Sequence, residues 1–160
     1  MSQPLDSVDK KILTLLQHDA ELSSSELAER VGISQSPCWR RVQRLRSEGY
    51  IKSMGAVVDW RKLGFSLQIF VQAKMARHSD EARAEFFRQI ETIPEIIECY
   101  TVLGEMDVMM KVIAPDVAWF QEFIFCVLMK LPGVDNLKSV VTLAEAKKSR
   151  ALPVSVRKIR

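Results

Sequence analysis

Gln35, Ser36, Trp39, Arg40, Gln43 and Arg44 recur at spacings that put them on the outer side of one helix, beside a stripe formed by Cys38, Val42 and Leu45. Their chemistry is that of gripping a nucleic acid. Amides and guanidinium groups read base edges, an indole packs on them, and cations hold phosphates. No acid lies between Glu29 and Glu48, so Arg40, Arg41, Arg44 and Arg46 form a positive field with no internal neutralisation. In a helix-turn-helix the N-terminal part of the second helix enters the major groove, which assigns Gln35, Ser36, Trp39 and Arg40 to base edges. Arg44 and Arg46, further along, fall to the phosphate backbone.

Local signals supply the scaffold those side chains need. Ser23 and Glu26 form a capping box that starts a helix. Leu27, Ala28 and Val31 give it an apolar side, and Gly32 can take the left-handed conformation that ends it. Ser34 or Ser36 can cap the next helix, with Pro37 in its first turn, and Gly49 closes it after about Ser47. An earlier helix is predicted over 8–18, capped by Asp6, with Asp9 in the dipole-favoured first turn and Val8, Ile12, Leu15 and Leu16 inward. Three helices ending near Gly49 make a small unit with a closed core. Residues 50–59 read as extended, and 60–64 as a short connection.

The periodicity changes to two from Phe65. A strand is predicted over 65–75, a helix over 80–92 with Phe86, Phe87, Ile90 and Ile93 inward, strands over 96–103 and 108–114, a helix over 116–129, and a last strand over 137–147. Residues 104–107 read as a hairpin link in which Gly104 can take positive φ and Asp107 is a turn residue. This order is a βαββαβ, ferredoxin-like arrangement. The fold class is therefore α+β: a DNA-binding helix-turn-helix domain over 1–49, a linking strand and connector over 50–64, and a ferredoxin-like domain over 65–160. Helices cover one sheet face. The other, expected to carry Phe70, Tyr100, Val102, Val108, Met110 and Val112, is too apolar to stay wet, as is the helix bearing Trp119, Phe120, Phe123, Ile124, Val127 and Leu128. A homodimer is the simplest cover.

The whole chain narrows the class of protein. Its net charge of +3 is mild, but Lys147, Lys148, Arg150, Arg157, Lys158 and Arg160 form a basic tail without acids. Three unclustered cysteines, Cys38, Cys99 and Cys126, suggest neither a disulfide framework nor a metal site, which fits a reducing cytoplasm. The opening residues lack the pattern of a secretory signal, and the longest apolar run, 123–129, is too short to span a bilayer. No membrane association is expected.

Across nearly its full length the chain resembles the Lrp/AsnC family of bacterial and archaeal transcription regulators, the leucine-responsive or feast/famine proteins. The resemblance rests on LDSVDKKIL at the first helix, ELAERVGISQSPCWRRVQRLRSEGYI through the helix-turn-helix, VLGEMDVMMKV in the second domain and ALP near the end. It implies binding to double-stranded DNA, a homodimer that assembles into octamers or larger arrays, and an effector, usually an amino acid, bound where dimers meet. By position, Gly104, Glu105, Met106 and Asp107 are similar to the family's ligand-facing loop, with Thr101 and Thr142 on strands near it. An effector's ammonium would suit Asp107, and its carboxylate would suit loop amides. Val108, Met109 and Met110 depart from the aromatic and leucines of many relatives.

The leading expectation is a sequence-specific regulator whose assembly or DNA binding responds to a small effector; no cofactor or metal is expected. An architectural, weakly specific DNA-binding protein without an effector is the alternative. An enzyme is disfavoured: His18 and His78 are isolated, and no phosphate-cradling glycine loop or nucleophile elbow is present.

Overall fold

The computed structural model describes residues 4–76, 80–149 and 151–155. Its chain forms two compact units, Met1–Val57 together with Lys147–Arg160, and Val58–Ala146. The expected division placed the last segment with the sheet. Here it groups with the helices, because the Gln17 side-chain amide clasps both backbone groups of Leu152: Nε2 donates to the Leu152 carbonyl (3.2 Å) and Oε1 accepts the Leu152 N–H (2.5 Å). Arg150, Arg157, Lys158 and Arg160 of the basic tail, and His78, lie outside the described residues.

The helical unit contains α1 (Ser7–His18), α2 (Ser24–Val31) and α3 (Gln35–Ser47). Reciprocal boxes start the first two, Asp6 with Asp9 and Ser23 with Glu26. Gly32, at φ 77°, ends α2 in the left-handed region. Ser34 occupies the cap position of α3 without a side-chain bond to the helix. Ile12, Leu27, Ala28, Val31, Cys38 and Leu45 form the core. Ile51 also packs on it, and its N–H donates to the Leu45 carbonyl (3.1 Å), which carries the unit past Gly49. Residues 52–59 form neither helix nor strand, so the expected linking strand has no pairing within one chain.

The second unit opens with a short 3-10 turn at Trp60–Leu63, capped by Asp59. Then come β1 (Leu67–Met75), α4 (Asp80–Ile90), β2 (Ile96–Thr101), β3 (Val108–Ala114), α5 (Val117–Cys126) and β4 (Val134–Val141). All pairings are antiparallel in the order β2-β3-β1-β4, the ferredoxin-like topology. Ile69, Val71 and Ala73 of β1 pair with Val112, Met110 and Val108 of β3, and all six are buried with Phe86, Phe120, Phe123 and Leu128.

That register corrects the expected open face. Val108, Met110 and Val112 share their side with the buried residues of β1, because directly paired strand residues point the same way. Phe70, Tyr100, Met109 and Val140 take the opposite side, with Tyr100 and Val140 more than half exposed. Of the apolar helix α5, Phe120 and Phe123 are spent on the chain's own core, and Trp119 stacks on Phe123 at 4.8 Å. Val117 and Phe125 stay exposed. The final strand begins and ends earlier than predicted, since Gly133 (φ 78°) turns the chain directly into it.

Candidate nucleic-acid interface and effector loop

Cys38 and Leu45 anchor α3 in the helical core, so the residues a third of a turn or more away from that stripe are the ones it shows to solvent. Gln35, Ser36, Trp39 and Arg40 are exposed, Trp39 by 53%, and Gln43 is half-buried. Five of the six expected DNA-facing residues therefore share one outward surface. An indole left this exposed near the start of a helix keeps about half of its surface free for a groove or a base edge.

Arg44 behaves differently. Its Nη2 lies 2.5 Å from Asp9 Oδ2, and Arg41 Nη1 reaches both Asp9 Oδ1 (2.8 Å) and Asp6 Oδ2 (2.6 Å). The expectation that four arginines stand without internal neutralisation is corrected: two are neutralised from α1. Asp9 is 1% exposed and accepts from both guanidiniums while closing the capping box with Asp6, so one buried carboxylate joins the start of α1 to the middle of α3. The role at the helix dipole expected of Asp9 is thus joined by a role in packing α1 on α3. The signal that finds its partner is spacing, since Arg41 falls three residues after Cys38 and four before Leu45, on the inward stripe.

This network carries an acid signature. The Asp6 carboxyl is lowered from 3.8 to about 2, first because it accepts the Asp9 N–H and next because Arg41 lies against it. A carboxylate with a lower pKa folded than unfolded stabilises the fold above its unfolded value and loses that contribution as pH falls through the folded one. The thermal midpoint of the helical unit, followed by circular dichroism, is expected to decline between about pH 4 and pH 2 and to decline less in Asp6→Asn.

In the second unit, Asp107 does more than turn the chain. Its N–H donates to the Ala73 carbonyl (3.0 Å), its carboxylate accepts the Met75 N–H (2.8 Å), and Lys74 Nζ stands 3.2 Å away. These contacts lower its pKa, the Met75 bond first and Lys74 second. They fasten residues 102–107 over the end of β1. The side chain remains 40% exposed. Glu105 is more exposed and pairs with Lys138 at 2.7 Å, which lowers its pKa. Gly104 does not use the positive φ open to a glycine; the described glycines with positive φ are Gly32, Gly49, Gly64 and Gly133. Met106 is buried rather than presented to a ligand.

Thr101 pairs with Val108 beside this loop, but Thr142 does not come near it. Thr142 bonds through both its N–H and hydroxyl to the Gln68 carbonyl, at the start of β1, whereas Asp107 sits at the end of that strand. Six residues of strand separate Gln68 from Lys74, roughly 20 Å. Of Val108, Met109 and Met110, only Met109 stands on the open face. Among the described residues no group of three or more His, Cys, Asp and Glu could hold a metal, and no helix is long and apolar enough to cross a membrane.

A helix-turn-helix with an exposed indole and arginine, joined to a ferredoxin-like unit, defines a two-part DNA-binding regulator. Comparison with known proteins agrees. A family model described as winged helix-turn-helix DNA-binding matches residues 5–52, and one described as Lrp/AsnC ligand binding domain matches residues 68–152. The leucine-responsive regulatory protein of Escherichia coli is 34% identical over 153 residues, covering 96% of this chain and 93% of its own. Among solved structures, a transcriptional regulator of Neisseria meningitidis in complex with L-Met is similar at TM-score 0.90 and 31% identity, covering 94% of this chain and 97% of that one. An AsnC family transcriptional regulator of Agrobacterium tumefaciens is similar at TM-score 0.87 and 32% identity, with the same shares covered. The chain belongs to the Lrp/AsnC family of transcription regulators.

Proposed function

We propose that this regulator reads a pseudo-palindromic operator as a homodimer in the cytoplasm, and that an amino acid controls how its dimers associate into octamers or larger assemblies. Gln35, Ser36, Trp39 and Arg40 contact base edges, and Gln43 lies at the margin of that surface. Arg44 serves chiefly to hold α3 in place, its charge shared with Asp9. The observation that carries the reading is the exposure of Trp39 and Arg40 on a helix whose opposite stripe is buried. Two copies of α3 related by a twofold axis would meet half-sites about one helical turn apart. The open sheet face, with Tyr100 and Val140 exposed, supports a second copy as its cover.

The effector reading rests on the 101–107 region. Asp107 retains acceptor capacity beyond its bonds to Met75 and Lys74, since a carboxylate offers about four lone-pair sites. An ammonium can therefore join it, with Thr101, Gly104 and Glu105 alongside and Met106 supporting the loop from beneath. Thr142 takes part only if another subunit brings it there. An effector matters to the extent that it binds one assembly better than another, by about 1–3 kcal/mol of coupling.

A thermal-shift screen of the common amino acids identifies the effector, because a ligand of the folded state raises its stability. In Asp107→Asn, which keeps an oxygen for the Met75 N–H but removes the charge, calorimetry is expected to show at least about tenfold weaker binding of the amino acid found, the loss of one charge-assisted bond. Unchanged affinity in that variant would rule out the ammonium role.

A further inference from the structure

Beyond α3 the chain turns at Gly49 (φ 79°), and the Ile51 N–H bond to Leu45 folds it back beside the last helical turn. There Arg46, Ile51, Lys52, Ser53 and Met54 line an open concavity of about 270 Å³. Its lining holds two cations and a hydroxyl and no carboxylate. Arg46 Nη2 rests 2.9 Å from the Met54 sulfur, a weak acceptor that orients the guanidinium without neutralising it.

The position of Arg46 on α3 ties this concavity to the DNA-facing surface. Trp39, Gln43 and Arg46 follow spacings of four and three, which puts them on one stripe. Arg41 and Arg44 are turned to α1, so Arg46 is the cation this stripe carries past Gln43. Seven residues separate Trp39 from Arg46, about 10 Å along the axis. A major groove is about 12 Å wide, so a helix with Trp39 at base edges would bring Arg46 to the phosphates at the groove's rim. We infer that Arg46, Lys52 and Ser53 form a binding site for a DNA backbone phosphate, fixing the register of α3 while carrying no sequence information. This rests on α3 being the recognition helix. The openness of the concavity suits a phosphate carried on a polymer, since an isolated anion would remain almost fully hydrated there.

The test uses the full chain and measures affinity for an operator fragment and for random DNA between 50 and 200 mM salt. In Arg46→Gln and in Lys52→Gln, both DNAs are expected to weaken by the same factor, and the slope of log K against log salt to shrink by about 0.9. Over that salt range the wild type then loses about 3.5-fold more affinity than each variant. Arg46→Lys should retain the wild-type slope, as should Lys130→Gln in the sheet unit. An unchanged slope in both glutamine variants, or a loss confined to the operator, overturns the site. Random DNA reports the phosphate contact whether or not an operator is preferred, so the site and the recognition-helix reading fail separately.

Discussion

Replacing Arg41 and Arg44 together by alanine is expected to remove about 3–5 kcal/mol from the helical unit, bringing it close to unfolding, while the sheet unit stays folded. The argument turns on Asp9, which is 1% exposed and whose carboxylate is compensated by these two guanidiniums. Taking both away leaves a buried charge with the Asp6 N–H bond alone, a loss of about 3–5 kcal/mol. A domain carries roughly 0.05–0.15 kcal/mol per residue, so the 71 residues of Met1–Val57 and Lys147–Arg160 hold only about 4–11 kcal/mol in all. The guanidiniums are themselves a quarter to a third exposed, so the penalty sits on the carboxylate rather than on them. Adding Asp9→Asn to the double variant should recover part of the loss, because no charge is then stranded. Two-dimensional amide spectra report the two units separately. A double variant within about 1 kcal/mol of wild type would mean the network behaves as a solvated surface cluster.

Arg40→Ala is the second large effect expected, and it falls on binding rather than folding. Arg40 is exposed next to Trp39 and has no ion pair with the α1 carboxylates that hold its neighbours. If it grips a guanine edge, operator affinity falls by about 1–3 kcal/mol while random DNA is bound nearly as before. Equal losses on both would move Arg40 to the phosphate class and favour the architectural alternative. The contrast with Arg46, for which equal losses are the expectation, separates base readout from backbone contact within one helix.

The difference between Arg40 and Arg44 shows where sequence reasoning reached and where it stopped. Helix starts and stops were readable because capping boxes and Gly32 act within a few residues. The alternation of β1 likewise announced its buried face, Ile69, Val71 and Ala73. What needed coordinates was pairing over distance. Asp9 and Arg44 are 35 residues apart, and nothing local says that a helix-start acid will be buried against the third helix. In β3 the apolar run is broken only by Lys111, whose charge marks the outward parity, and the register with β1 sends Val108, Met110 and Val112 inward. Thr142 shows the same dependence on pairing, since the β1–β4 register sets it against Gln68, at the far end of β1 from Asp107. The loop at 104–107 drew attention as a turn, yet Lys74 and the Met75 N–H, which hold Asp107, come from a strand some thirty residues earlier.

The central claim is that α3 reads DNA sequence through its outward stripe, twice per symmetric dimer. Selection of bound fragments from a sheared genomic pool, followed by footprinting against excess random competitor, tests it directly. The account predicts a protected pseudo-palindrome whose half-sites are centred about one helical turn apart, surviving competitor and lost in Arg40→Ala. Fragments displaced by random DNA as readily as any other, with no common protected motif, would contradict it.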